Sequence, residues 1–274
     1  MKNQIRMLSH EGFWQMMSFV ITTEDGKIIV IDGGYHDDAD KLLRELQTLS
    51  GKEKPHVDAW FLTHAHEDHI NALVQLYQTR ADDFSCDGIY YCFPSVQYFE
   101  KYERGSVPTI SNFYKALPSF ASIAHTVSTG DEYTIGSARF EILQTYDDEN
   151  TEDIVNNSST IIRMQLGGKS VLFLGDAGII AGNRLVARYG DKLQSDYCQM
   201  AHHGQDGAEK NLYECVRPSV CIWCAPEWLW NNDRGGGFDT DIFTTVTTRR
   251  WMDEIGTVKK NYVMFQKDQT IEIE

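Results

Sequence analysis

The 274-residue chain lacks any apolar run near the roughly 20 residues needed to span a bilayer, and its opening segment MKNQIRMLSHEGFW lacks the apolar core of a signal peptide. A membrane partner is therefore not expected, and the cytoplasm is the expected location. Basic residues are scarce: 25 Lys and Arg stand against 40 Asp and Glu, a formal charge of −15. That field repels phosphate backbones, so nucleic acid is a disfavoured partner. Low-complexity tracts and linkers are missing too, which predicts one domain over 1–274 rather than a string of modules. Six cysteines are scattered along the chain; Cys221 and Cys224 have CxxC spacing, but no second pair completes a zinc ribbon, and reduced core thiols are expected. The glycines at 235–237 have no phosphate-loop spacing.

With 42% hydrophobic and 12% aromatic residues, the chain can bury a large core. Its patterning alternates strands and helices. Residues 18–23 and 28–31 flank a Gly-containing turn and predict a β-hairpin that ends in Asp32-Gly-Gly. Ala39, Leu42, Leu43, Leu46 and Leu49 share one helical face before Ser50-Gly51. Residues 57–62 read as a buried strand, followed by a helix from about His69 with Ile70, Leu73, Val74 and Tyr77 on one face. Further on, the spacing predicts a strand over 88–93 and mostly helix over 98–122, broken at 104–108. Strands follow over 139–144, 159–166 and 170–174, the last two joined by Gly167-Gly168-Lys169. Helices over 179–189, 208–216 and 242–255 alternate with strands over 197–201 and 220–223, and 261–265 with 270–273 reads as a closing hairpin. The alternation implies two sheets packed face to face with helices outside.

Chemistry concentrates at the end of the strand over 57–62, in Thr63-His-Ala-His-Glu-Asp-His69. Imidazole and carboxylate are the ligands of Zn2+, Mn2+ and Fe2+, and several on one loop converge without ordering a long chain. His64 and His66, two apart on an extended segment, can point the same way; Asp68 and His69, at the turn into a helix, can address a second ion. The bland alternative is a polar loop in which Asp68 or Thr63 merely caps the helix. Two later segments weigh against it: an apolar strand ending in Asp176 (VLFLGD) and another ending in His202 and His203 (QMAHHG). Ligand-type residues closing three predicted strands are what a site along one sheet edge requires.

These motifs resemble the metallo-β-lactamase superfamily: THAHEDHI matches its HxHxDH signature, DGG its early acidic turn, FLGDA its bridging aspartate and HHG its last histidine motif. The similarity runs over about residues 18–204 and is nearest to the ComEC-like hydrolase domains, which have counterparts of NNSSTIIRMQLGGKSVLFLGDAG. The resemblance implies an α/β (α+β) four-layer αββα sandwich holding two divalent ions, zinc first and Mn2+ or Fe2+ as substitutes. It implies that His64 and His66 bind one ion, that Asp68 and His69 bind the other, and that Asp176 bridges. His203 completes the second site, with His202 near the substrate or as the alternative ligand, and Asp32 orients a ligand histidine from outside.

The family's third histidine for the first ion is absent from Ile154-Val-Asn-Asn157, which leaves Asn157 or water there; His125 lies too early in the chain and is expected to be structural. The implied function is hydrolysis of a phosphodiester or other ester of a small molecule, with Asp68 or His202 handling protons. A non-hydrolytic metal-binding or redox protein of the same fold, or a nuclease-like DNA-processing accessory, are the alternatives. Trp223, Trp228 and Trp230 either wall a ligand site or pack the rim.

Overall fold

The computed structural model describes residues 1–273. Among the described residues two seven-stranded sheets carry the fold. From edge to edge, the first runs Gln269–Glu272, Gln4–Met7, Ser18–Thr22, Ile28–Asp32, Ala59–Phe61, Ile89–Tyr91, Ala124–Thr126. The second runs Lys260–Val263, Val220–Trp223, Tyr197–Gln199, Lys169–Phe173, Ile161–Leu166, Ala138–Gln144, Glu132–Ile135.

Period-two alternation sorts the second sheet's side chains between two cores. Phe140, Ile142, Ile162, Met164, Val171, Phe173 and Ile222 belong to the core shared with the first sheet. Leu143, Ile161, Leu172, Leu174, Cys198, Cys221 and Trp223 belong to the core under the helices Ile179–Tyr189, Lys210–Val216 and Thr245–Ile255. The two sheets meet through aromatic pairs: Phe19 and Phe173 have ring centroids 5.4 Å apart, and Phe61 stacks on Phe140 at 4.8 Å. The helices Ala39–Ser50 and Glu67–Thr79 cover the other face of the first sheet with Leu42, Leu46, Ile70 and Leu73. Helix, sheet, sheet, helix is the metallo-β-lactamase sandwich that the resemblance implies.

Local sequence explains most element ends. Ser18 pairs with Asp32 across the first hairpin, and Gly167 and Gly168 both have positive φ, as a two-residue turn between antiparallel strands demands. Glu67 and Asp68 sit in the first turn of their helix, where carboxylates suit the positive end of the helix dipole.

Several expectations need correction. The segments near 261–265 and 270–273 do not form a hairpin: Lys260–Val263 pairs in parallel with Val220–Trp223 in the second sheet, whereas Gln269–Glu272 pairs with Gln4–Met7 in the first. Each finds a longer-range partner, and the connection between them passes from one sheet to the other. The strand Gln4–Met7 was not expected; it shows alternating burial of Ile5 and Met7 over only four residues. The run over 57–62 splits at Asp58, whose carboxylate accepts from Lys27 Nζ and the Ile28 N–H, both at 2.8 Å. The stretch over 98–122 is two α-helices, Val96–Tyr102 and Val107–Ala116, and short 3-10 turns. The helix after the histidine cluster starts at Glu67 rather than His69, with His66 as its extended N-cap and no side-chain cap.

Candidate metal centre

Strand ends bring the sequence-predicted residues together. The parallel neighbours Ile28–Asp32 and Ala59–Phe61 end side by side, which puts Asp32 against Thr63: Asp32 Oδ1 accepts from the Thr63 N–H at 2.8 Å and Oδ2 from the Thr63 hydroxyl at 2.7 Å. In the opposite sheet Lys169–Phe173 and Tyr197–Gln199 are parallel neighbours, and Gln199 ties their ends, accepting from the Leu174 N–H and donating to the Gly175 carbonyl. Asp176 follows, its N–H donating to Ser159 Oγ at 3.0 Å. His202 and His203 then occupy the left-handed region at φ 48° and 57°, conformations that cost energy for non-glycine residues. Gly204 lets this turn sit flat on Trp223, since a Cβ there would come within 2.4 Å of the indole.

The ligand-type atoms fall into two groups. His64, His66 and Asp176 form one, and Asp68, His69 and His203 the other, with the atoms of each group within 4.8 Å of one another. At bond lengths of about 2.0–2.2 Å, neighbouring ligands around a tetrahedral ion stand roughly 3.3 Å apart. Here His64 Nε2 is 3.0 Å from His66 Nδ1 and 3.8 Å from Asp176 Oδ2. In the second group His203 Nε2 is 3.0 Å and His69 Nε2 3.8 Å from Asp68 Oδ2. Asp176 Oδ2 stands 3.3 Å from both His69 Nε2 and His203 Nε2, so one oxygen faces both groups.

The nitrogens facing away have their own partners. His69 Nδ1 donates to Asp32 Oδ2 at 2.7 Å and His203 Nδ1 to the Cys224 carbonyl at 3.0 Å, while His64 Nδ1 lies 3.1 Å from Thr63 Oγ1. Yet His69 Nε2, His203 Nε2 and Asp176 Oδ1 are buried without an aligned hydrogen-bond partner. Buried polar atoms are rarely left so, and a divalent cation would satisfy the two imidazole nitrogens at once. The donor set therefore fits a metal pair.

Electrostatics favour the ligating form at His64, Asp176 and Asp68. At His69 and His203, by contrast, burial is outweighed by the Asp176 and Asp68 carboxylates, which raise the imidazoles, so both must give up a proton to ligate. Burial and the neighbouring His69 push the His64 imidazole well below its usual range, favouring the neutral form that ligates. Burial alone would lift the Asp176 carboxyl, but the His203, His69 and His64 imidazoles pull it well below the ordinary carboxylate range. Asp68 is lowered in the same way, burial being outweighed by His69 and His203.

His202 is set apart. Its Nε2 is 4.0 Å from Asp176 Oδ2, and it is more exposed than His203. Asn157 is buried but engaged elsewhere: its Oδ1 accepts from the Ala181 N–H at 2.8 Å and its Nδ2 donates to the Glu152 carbonyl, which caps the helix after Asp176. His125 lies on an edge strand, stacked on Tyr90. The tryptophans are packed: Trp223 and Trp228 are buried, with indole N–H groups donating to Asn261 Oδ1 and the Phe13 carbonyl, and the Arg249 guanidinium lies 4.0 Å over the Trp230 ring. Gln199 and Ser159 were not singled out by the sequence, and Thr63 was named there only as a candidate helix cap; their position as polar residues beside the motifs is the signal that could have found them.

A third group, His56, Asp58 and Asp87, lies toward the surface, with Asp58 already paired to Lys27. Among the described residues no helix is long and apolar enough to cross a membrane.

The Metallo-beta-lactamase superfamily profile matches residues 12–218, and the chain belongs to that superfamily. It is 30% identical over 84 residues to the competence protein ComA of Neisseria gonorrhoeae; that stretch is 30% of this chain and 12% of ComA, so the chain spans a small part of that relative. Two solved structures share the fold. The metallo-beta-lactamase fold protein YhfI from Bacillus subtilis aligns with a TM-score of 0.58 and 12% identity over the full length of both chains. The diiron beta-hydroxylase CmlA from Streptomyces venezuelae aligns at 0.57 and 13% identity, covering 99% of this chain and 54% of CmlA.

Proposed function

We propose that the chain is a hydrolase of a small-molecule ester, a phosphodiester foremost, working with two divalent ions, zinc first. The observation that carries this is the inward convergence of His64, His66, His69 and His203 on Asp68 and Asp176, with buried atoms left unpartnered at the centre. His64, His66 and Asp176 would hold one ion and Asp68, His69, His203 and Asp176 the other. When bound, such a pair supplies a nucleophilic water near neutral pH and stabilises negative charge on the leaving oxygen.

The chain's own side chains do the rest. Asp32 and the Cys224 carbonyl fix the tautomers of His69 and His203 by accepting from Nδ1, which leaves each Nε2 lone pair facing inward. Asp68, kept ionised by His69 and His203, turns Oδ2 toward the second ion's ligands, which leaves its other carboxylate oxygen to accept a proton. His202, outside the ligand groups and partly exposed, faces the substrate and delivers a proton to the departing oxygen. The ComEC-like motif NNSSTIIRMQLGGKSVLFLGDAG favours phosphodiester chemistry, and the charge of −15 favours a small substrate over a long nucleic acid. Six unpaired cysteines suit the cytoplasm.

The test is elemental analysis of the purified protein, followed by a panel of bis-p-nitrophenyl phosphate, a phosphomonoester, a thioester and a lactam with zinc, manganese or iron. Turnover of the diester with two ions per chain is expected. Turnover of the lactam or thioester alone would sink the diester assignment, and oxygen-dependent turnover with two iron atoms would sink hydrolysis altogether.

A further inference from the structure

Three of the four inward-facing histidines have a fixed partner on the outward nitrogen: Thr63 for His64, Asp32 for His69, the Cys224 carbonyl for His203. The fourth, His66, presents Nδ1 to His64 Nε2 at 3.0 Å, and its Nε2 points the other way, 3.6 Å from Glu103 Oε1. Resting on the metal reading above, we propose that Glu103 is the positioning residue of His66, and that it holds the first metal group together in place of a third histidine.

Glu103 lies at the break between the helices Val96–Tyr102 and Val107–Ala116, where φ −150° and ψ 72° take the backbone out of the helix and turn the side chain inward. The carboxylate is held on two further sides: Oε2 accepts from the Val155 N–H at 3.2 Å and Oε1 from the Ser106 hydroxyl at 3.3 Å. At 3.6 Å the contact with His66 is an ion-pair separation rather than a hydrogen bond, and a closure of about 0.6 Å would make it one. Because the two ring nitrogens of an imidazole point to opposite sides, Glu103 cannot ligate the ion that Nδ1 faces. It acts through the ring, keeping the proton on Nε2 and the lone pair on Nδ1.

The first group needs this more than the second does. It has two histidines where the family pattern has three, and the nearby Asn157 side chain is committed to Ala181 and Glu152. A mis-set His66 would leave His64 and the shared Asp176 alone.

The experiment compares the wild-type chain with Glu103→Ala and Glu103→Gln. Metal-free protein is titrated with zinc against a chromophoric chelator, and the absorption bands of the cobalt-loaded forms are recorded. Glu103→Ala is expected to weaken one of the two bound ions by roughly 10–100-fold, leave the other unchanged, and alter one set of cobalt bands. Glu103→Gln keeps one acceptor oxygen, enough for the Val155 N–H or for His66 but not for both, and is expected to fall between the wild type and Glu103→Ala. If Glu103 only braces the 103–155 contact, both variants would lower the unfolding temperature of metal-free protein with both affinities within twofold of wild type, and the proposal would be overturned. A wild-type chain that takes up no metal would overturn the metal reading itself, and this inference with it; two ions in every variant at wild-type affinity would overturn this inference alone.

Discussion

Replacing Asp32 by Asn changes almost no volume, yet it should disable the second metal group. Asp32 is fully buried and its carboxylate accepts three hydrogen bonds, from the Thr63 N–H, the Thr63 hydroxyl and His69 Nδ1. In the variant the amide oxygen keeps the Thr63 N–H, and the NH2 group takes the place of Oδ2 at 2.7 Å from His69 Nδ1. Two donors then face each other unless His69 moves its proton to Nε2, the nitrogen that stands 3.3 Å from Asp176. Either the ring loses its inward lone pair, or metal binding must restore the donor clash. A hydrogen bond to a charged group is worth about 1.5–3 kcal/mol, so affinity for one ion should fall about ten- to a hundredfold. Chelator competition on metal-free protein reads that number, and urea unfolding in EDTA should show a loss of about 1–3 kcal/mol for the weakened buried network. Affinities within twofold of wild type, with an unchanged unfolding midpoint, would refute the account of Asp32.

Gly204→Ala places a methyl 2.4 Å from the Trp223 ring at φ 89°, so a stability loss of about 2–4 kcal/mol and weaker metal binding are expected in thermal unfolding and metal titration. His203→Ala should remove one ion by elemental analysis, whereas His202→Ala should keep both and lower kcat; equal metal loss in the two variants would reverse their assignment. Adding EDTA should lower the unfolding temperature, because ions that bind the folded chain alone stabilise it by mass action; no change would contradict a built metal site. Asp268 offers a pH test away from the site: burial raises its carboxyl, but Lys41 and the Ser9 N–H outweigh that and set it below 3.8. Its contribution is therefore present above pH 3.8 and lost as pH falls through the lowered folded value, so Asp268→Asn should destabilise at pH 7 by about 1 kcal/mol or less, with the difference from wild type shrinking as the pH is taken below 3.8 in urea unfolding.

The six ligand-type residues were legible because each lies at the end of an apolar run, and the chemistry of imidazole and carboxylate needs no long-range information to be recognised. Asp32 was legible only through its Gly-Gly neighbours and the family resemblance. Glu103 was not legible: it sits in a helix break with no motif around it, and its value comes from Val155 and His66, 52 and 37 positions away in a chain that says nothing about that meeting. The same physics separates the strands that could be read from those that could not. Runs such as 170–174 are buried by their own composition, whereas Gln4–Met7, Ala124–Thr126 and Glu132–Ile135 are short, half-polar strands near sheet edges that exist because a neighbour accepts their hydrogen bonds. The closing hairpin failed because turn-like residues at 265–268 mark a change of direction equally well when the chain is leaving one sheet for another.

That last crossing makes one edge of the first sheet depend on two pairings of very different reach along the chain. Gln4–Met7 has its inner neighbour, Ser18–Thr22, close by in the chain, but its outer hydrogen bonds come from the far-distant Gln269–Glu272. Until that pairing forms, Gln4–Met7 is an open sheet edge, a ready template for another chain's strand. Gln269–Glu272 then takes the edge position, and Asp268 fastens it by accepting from Lys41 Nζ and the Ser9 N–H.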